Sequence, residues 1–284
     1  MTETKSVKTL KKQLGAAIAM VLVAAVALGS STYAWFVTNN TVKATTSTIS
    51  AQSNAAFMKI KYGATATNSD LTADVATIDS EALYPAQWKN NFDANKTTAG
   101  DKVYQFETAY GTNPTSSGYE MDETSLKAIG APSEAVEADY AVANVFNISS
   151  KGTDLTNLKV SGAEIQSARP SGETTVTDQG NSNLDSALRV LVVCGNNWVL
   201  CNKDGVILDS EGRTSGDNLG LFGKKASGDE TATTQTVTHD ADTAVNVYVY
   251  YDGNDSQIYS NNLPNLNNAS SRITVTFTAD AQNS

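Results

Sequence analysis

The chain has 284 residues, a net charge of −10 at pH 7, and only 18% charged residues. An acidic surface repels phosphate backbones and anionic lipid, which argues against nucleic acid or a lipid surface as the partner. This length allows one large core or two smaller ones, so folding does not depend on disulfides. Ser, Thr, Asn, Ala and Gly fill the stretches between short apolar segments, and this composition is typical of extracellular β proteins.

The N-terminus has the order of a signal peptide. Four lysines in the first 12 residues precede an apolar run, Leu14 to Leu28, and small polar residues follow it. Thr32 and Ala34 fit the small-residue subsites of signal peptidases, which predicts cleavage between Ala34 and Trp35. Residues 35–284 would then carry a net charge near −13, once the +3 of the first 34 residues is removed from −10. A spanning helix needs about 20 apolar residues and this run is shorter, which favours cleavage. Retention of the uncleaved segment as a membrane anchor stays open, because the run can span the membrane if Gly29 to Ala34 joins it.

Strand signals follow along the rest of the chain. Apolar residues alternate with polar ones, as expected for strands with one buried face. The predicted strands are 56–62, 140–149, 155–165, 187–195, 245–251 and 273–277. The segment 187–195 is apolar enough to lie centrally between two sheets. We therefore predict a mainly β protein, a jelly-roll-like antiparallel β-sandwich spanning 35–284.

Two stretches have helical character, Ser80 to Asn91 and Asp122 to Ala138, and each contains a proline. Both fall within an insertion at about 63–137, which we expect to decorate one end or edge of the sandwich, with a small separate domain as the alternative. Ser171 to Asn183 and Asp209 to Thr231 are rich in Gly, Ser, Thr and Asp and predict mobile loops.

Catalytic and metal-binding signals are weak. His239 is the single histidine, so a His-rich zinc centre lacks ligands, and no Gly-x-Ser-x-Gly supports a Ser-His-Asp triad. Asp252-Gly253-Asn254-Asp255 is the best candidate for calcium, but the same residues are ordinary turn formers. Tyr248, Tyr250 and Tyr259 suggest a sugar-stacking platform, although alternating Tyr is also common on sheet surfaces. We predict no catalytic residue, no metal site and no cofactor.

The two cysteines flank a predicted tight turn. Cys194 and Cys201 lie on either side of Gly195-Asn196-Asn197-Trp198. A two-residue turn at Asn196-Asn197 places Cys194 opposite Val199, so the sulfurs share a face only diagonally. A disulfide and two separate buried thiols both remain open.

The run Ser31 to Val42 (STYAWFVTNNTV) resembles the boundary motif of the bacterial TasA and camelysin-like family, whose signal peptides are removed by a SipW-type peptidase. Leu188-Arg189-Val190, Val245 to Asp255 and Arg272 to Asp280 also resemble that family's later strands. The resemblance implies a jelly-roll-like sandwich on a Gram-positive surface or in extracellular matrix and biofilm fibres. Some camelysin-like members are classed as metallopeptidases.

These observations predict a secreted structural protein that self-assembles into fibres. The segment Trp35, Phe36 and Val37, continuing to Val42, is the expected assembly strand. It either folds back as the first strand of its own sandwich or adds to an edge strand of the next subunit, giving a homo-oligomer. The alternatives are an adhesin or glycan-binding module that binds a matrix or host-surface ligand, and then a metallopeptidase. Membrane contact is expected only through an uncleaved signal segment.

Overall fold

The computed structural model of the protein describes residues 13–15, 17, 18, 20, 42–53, 58–63, 72–74, 82–88, 104–108, 113–115, 118–120, 128–167, 186–226, 231–255 and 269–281. The chain divides into two compact units, Met1–Asn40 and Thr41–Ser284. In the first unit the described residues are helical, and Leu14, Ile18 and Met20 are exposed. Across all described residues, no helix is both long and apolar enough to cross a membrane.

The second unit is mainly β. Its elements are β1 (Val42–Ser53), β2 (Met58–Tyr62), β3 (Thr72–Asp74), β4 (Ala82–Leu83), β5 (Ala86–Trp88), β6 (Phe106–Thr108), β7 (Asn113–Thr115), β8 (Gly118–Glu120), β9 (Ala128–Gly130), α1 (Pro132–Glu137), β10 (Val142–Ser150), β11 (Leu155–Ser167), β12 (Leu188–Cys194), β13 (Asn197–Asn202), β14 (Gly205–Asp209), β15 (Thr243–Tyr251) and β16 (Ala269–Ala281). Each of the six predicted strand segments contains a strand, which confirms the predicted mainly β fold.

Two large sheets face each other. The front sheet has the order β11-β16-β1-β3, with β4 also paired to β1, and the back sheet has the order β14-β13-β12-β15-β10-β2. Neighbouring strands are antiparallel except β1 and β16, which are parallel from Ala44 opposite Ala269 to Ser53 opposite Phe277. The first and last strands of the sandwich are therefore neighbours. Two short ladders, β5-β6-β9 and β7-β8, complete the described strands.

The sandwich core lies between the two sheets. Alternation in β16 buries Ile273, Val275 and Phe277, which lie in one cluster with Val247 and Val249 of β15. Burying such a side chain contributes about 1.5–3 kcal/mol. The period-two pattern in the sequence therefore corresponds to the inward face of each sheet.

A second apolar cluster covers the outer face of the back sheet. Trp198 of β13 and Tyr250 of β15 point away from the sandwich core and pack with Tyr104 and Phe106. Ala135 of α1 lies in the same cluster. We name β5, β6, β9, α1 and Tyr104 the outer layer. We expected the insertion at an end or edge of the sandwich, but these residues of it cover a face. The physical reason is that β12 and β15 are apolar on both sides and need cover on both.

The first helix prediction is wrong over its described part, and the second is confirmed only in part. The described part of Ser80 to Asn91 forms β4 and β5, because Pro85 lacks an amide proton and favours extended backbone at Tyr84. In the described part of the second stretch, residues 128–138, Ala128–Gly130 is β9 and Pro132–Glu137 is the helix. Pro132 begins this helix rather than interrupting it, which fits a first helical position whose amide has no partner within the helix.

Candidate functional sites

The acidic turn after β15 is the first candidate site. Asp252 and Asp255 both face Arg189 of β12, with nitrogen–oxygen distances of 2.9 and 3.3 Å. The Asp252 carboxylate also accepts a hydrogen bond from the backbone amide of Asn254 at 3.1 Å. Burial raises the pKa of Asp252, and the nearby guanidinium opposes that rise. An arginine thus occupies the position that a cation would need, so the turn interpretation fits better than a calcium site.

This turn also holds the outer layer. The backbone amide of Gly253 donates to the carbonyl of Ala86 in β5 at 2.9 Å, and Asn254 Nδ2 donates to Gln87 Oε1. The amide of Asp252 donates to the carbonyl of Ala187 at 2.8 Å. The turn therefore ties β15, the start of β12 and the outer layer together.

One residue of the proposed tyrosine platform, Tyr250, is not on the surface. Tyr250 is 1% exposed, and its hydroxyl hydrogen bonds to that of Tyr104 at 2.5 Å. Desolvation raises the pKa of both hydroxyls well above 10. Tyr248 is partly buried, and Tyr259 lies outside the described residues. A sugar cannot stack on Tyr250, because the outer layer covers its ring.

His239 pairs with one carboxylate. Its Nδ1 lies 2.6 Å from Asp154 Oδ1, and its backbone amide donates to the same oxygen at 2.8 Å. The imidazole is 55% exposed. Hydrogen bonding to Asp154 raises the pKa of His239, and the bonds from His239 lower that of Asp154. Among the described residues, no group of three or more His, Cys, Asp or Glu side chains is arranged to hold a metal ion.

The cysteines are free and buried. The hairpin turn is Gly195-Asn196, one residue earlier than expected, so Cys194 lies opposite Asn197 and Cys201 opposite Val190. The two positions are four residues apart along the hairpin, about 13 Å at 3.3 Å per residue, which is too far for a disulfide. Burial raises the pKa of both thiols to about 12. The disulfide alternative is therefore wrong for this fold, in which both cysteines are free and buried.

The second acidic turn, at the end of β14, is tightly packed. Asp209 is fully buried, and its Oδ2 accepts from Arg213 Nε at 2.7 Å and from the amide of Gly220 at 3.1 Å. Its Oδ1 accepts from the amides of Glu211 and Arg213 at 3.0 and 3.2 Å. Arg213 also donates to the carbonyls of Leu221 and Gly223 at 2.8 and 3.0 Å. This charge is paired and hydrogen bonded on both oxygens.

The residues that Asp209 organises cover one edge of the front sheet. We name residues 209–226 and 231–237 the edge clasp. Its backbone makes five hydrogen bonds with the outer edge of β11. They are Leu155 N to Val237 O, Val237 N to Leu155 O, Leu158 N to Gln235 O, Phe222 N to Leu158 O and Val160 N to Gly220 O, at 2.8–3.2 Å. Phe222 and Val237 are fully buried in the sandwich core. We expected a mobile loop at Asp209 to Thr231, but its described part is packed.

Gly220 allows this close approach to β11, and Gly223 allows two parts of the clasp to lie close together. A Cβ at Gly220 would lie 2.3 Å from the carbonyl oxygen of Val160, and one at Gly223 would lie 2.1 Å from that of Thr233. Both have positive φ angles, 84° and 100°. The clasp was not expected from the sequence, because its composition is that of a solvated loop. The signal available was Leu221-Phe222, an apolar pair inside that loop.

The predicted assembly strand is only partly described. Trp35, Phe36, Val37 and the cleavage site Ala34–Trp35 lie outside the described residues. Val42 is the first residue of β1 and lies opposite Leu83 of β4. From Ala44 onward β1 pairs with β16, and Ser50 to Gln52 pair with β3.

The fold and these sites define a β-sandwich with one covered outer face and one clasped edge. No family model matches the chain, and neither a curated protein nor a solved structure is significantly similar to it.

Proposed function

We propose that this protein is an exported structural subunit of a Gram-positive surface or extracellular matrix, with a jelly-roll-like sandwich that self-assembles into fibres. The observation that carries the proposal is the position of β1. This strand starts at Val42, a few residues after the aromatic segment Trp35 to Val37, and is held between β16 and β3. We expect a segment that precedes a paired strand of the sandwich to be available for addition to a neighbouring copy.

The aromatic segment supplies the driving force. Each large ring buries 150–250 Å², so Trp35 and Phe36 contribute up to about 8–12 kcal/mol before the entropy of ordering is subtracted. Two arrangements would bury these rings. The segment either folds back onto its own sandwich or adds to an edge of the next copy. Strand addition joins two different surfaces, so the contact is head-to-tail and extends into a filament.

The proposal includes a non-catalytic role. His239 pairs with a single carboxylate, and the best calcium candidate is occupied by Arg189, so neither favours a metallopeptidase. The adhesin alternative relied on a tyrosine platform, and the burial of Tyr250 removes its central residue. We therefore prefer the fibre subunit.

Imaging of the secreted protein tests this function. We expect the wild-type protein to form filaments by negative-stain microscopy without added ligand. The double variant Phe36→Ser, Val37→Ser should stay folded and form none, because the segment loses apolar area. Tyr62→Ser is the matched control, since Tyr62 is an aromatic residue of the sandwich surface at 45% exposure. Filaments of equal length from the double variant would contradict strand addition.

Export has its own test. Mass spectrometry of protein recovered from the medium should give a mature N-terminus at Trp35, because Thr32 and Ala34 fit the peptidase subsites. Surface protein that retains Met1 or the lysine-rich segment would instead identify the anchored form.

A further inference from the structure

The edge clasp covers only part of β11. Its five backbone hydrogen bonds reach Leu155, Leu158 and Val160. Over the rest of the strand, Ser161 to Ser167, none of the residues that the structure describes forms a ladder on the outer side. A long edge strand presents amides and carbonyls that can pair with another chain, and proteins usually block such edges. The clasp is the blocking element for half of this edge.

The sequence of β11 is complementary to itself in one antiparallel register. With a two-fold axis between Ser161 and Gly162, Lys159 of one copy lies opposite Glu164 of the other, and this pairing occurs twice. Leu158 lies opposite Ile165 in the same register. Leu158 and Ile165 are both buried on the core face, while Glu164 is exposed and Lys159 is half-buried. Opposite charges on one face and apolar residues on the other are the pairs that stabilise a ladder.

The backbone alternation agrees with this register. The amides of Leu158 and Val160 point outward, because they donate to clasp carbonyls. Ser161 is an extra residue at the β-bulge between Val160 and Gly162 and shifts the alternation by one position, so Ala163 and Ile165 point outward as well. The register pairs Val160 with Ala163 and Leu158 with Ile165. In each pair the backbone polar groups of both residues point outward, towards the other copy, as a ladder requires.

A closed clasp prevents this pairing, because Leu158 and Val160 already have partners. Lys159 is engaged too, since its Nζ donates to the carbonyl of Asp217 at 2.6 Å. Two copies with closed clasps have only Ser161 to Ser167 to offer, and antiparallel pairing about the centre of that stretch puts Glu164 opposite Glu164. Like charges directly opposite destabilise a ladder.

We propose that the outer edge of β11 is a self-association site for a second copy of this chain, kept closed by the clasp that Asp209 and Arg213 hold. Opening the clasp exposes Leu155 to Val160 and permits a two-fold dimer with a continuous sheet across both copies. Such a dimer closes on itself and does not use Trp35 to Val37, so it is separate from the proposed filament contact.

Two substitutions open the clasp by different means in the full-length, secreted protein. Arg213→Met removes the cation that holds Asp209, Leu221 and Gly223. Gly220→Val pushes the clasp away directly, since a Cβ there meets the carbonyl oxygen of Val160. Each is combined with Ser161→Cys, which lies beside the two-fold axis and reports this interface by an intermolecular disulfide under mild oxidation. Asp204→Cys, at the exposed turn between β13 and β14, is the control thiol.

We expect Ser161→Cys to cross-link at least about tenfold more in either opened variant than in the closed chain, with no increase for Asp204→Cys. In the opened background, Lys159→Glu should abolish the gain and Lys159→Glu with Glu164→Lys should restore it. Lys159→Glu also removes a contact of the clasp. If dimerisation depended on clasp opening alone, this substitution would therefore increase cross-linking instead. If either opened variant retains a cooperative unfolding transition but cross-links like the closed chain, the proposal is overturned. Cross-linking unaffected by the charge reversal overturns it as well.

Discussion

The two acidic turns, after β14 and after β15, look alike in sequence and are used differently. Asp209 is fully buried, and Asp252 keeps 21% of its side chain exposed. Asp209 accepts from three backbone amides and Arg213, whereas Asp252 accepts from one amide and Arg189. The two turns therefore differ in the burial of the carboxylate rather than in composition: Asp209 anchors a long clasp, whereas Asp252 makes only a short local contact.

The largest effect is expected at Asp209. Asp209→Asn should lower the free energy of unfolding by about 3–5 kcal/mol, because it leaves Arg213 without its counter-charge and puts an amide nitrogen beside hydrogen-bond donors. Denaturant unfolding followed by fluorescence measures this. Asp217→Asn, at an exposed position of the same clasp, should change the value by less than about 0.5 kcal/mol. Equal losses from the two variants would contradict the anchoring role.

The next effect is steric. Gly220→Ala should lower the free energy of unfolding by about 2–3 kcal/mol, since its Cβ meets the carbonyl of Val160 and its φ is 84°. Gly216 has a similar φ of 90° with nothing within 4 Å of a Cβ. Gly216→Ala therefore carries backbone strain alone, about 1 kcal/mol. Matching values for both variants would mean that the clasp does not approach β11 as closely as described.

The turn after β15 should be less sensitive. Arg189→Met should cost about 1–2 kcal/mol, between the values for exposed and buried ion pairs, because Asp252 and Asp255 keep some access to water. The near-ultraviolet circular dichroism of the outer aromatic cluster should weaken at the same time. A loss as large as that of Asp209→Asn would remove the distinction between the two turns.

The smallest effect concerns His239 and Asp154, which are exposed. An NMR titration should give His239 a pKa above 6.5 that falls towards 6.5 in Asp154→Asn. The raised pKa of His239 means that its contribution to stability is complete below pH 6.5 and is lost as the pH rises through the folded-state pKa. The lowered pKa of Asp154 means that its contribution is lost on acidification. An unchanged His239 pKa in the variant would rule out the pair.

The strands were predictable because their alternation reports which face is buried. The segment around Val190 has a continuous apolar run, from which we expected a position centrally between two sheets. Its burial is confirmed, but β12 lies within the back sheet, between β13 and β15, with apolar side chains on both faces. The stretch around Pro85 was wrongly predicted to be helical. Its local helical character is overridden by strand pairing, of β4 with β1 and of β5 with β6. The predicted pairing of the two cysteines was wrong because the turn lies one residue earlier than expected, and such a shift changes every cross-strand partner.

The clasp could not be predicted from composition. Asp209 is one of 30 acidic residues, and nothing local distinguishes a buried carboxylate from a solvated one. Its role depends on contacts with Arg213 and Gly220 and on β11, whose edge lies about 50 residues earlier in the chain. Such contacts become visible only once the sheets are assembled.

Hydrogen exchange at the outer edge of β11 tests the central claim most directly, because the amides of Leu158 and Val160 donate to the clasp. Asp209→Asn should speed their exchange by at least about tenfold under native conditions, relative to amides of β15 in the same protein. Asp252→Asn, the matched change in the other acidic turn, should leave both amides unchanged. Equal protection in wild type and Asp209→Asn, or equal acceleration by both variants, would contradict a clasp anchored by Asp209.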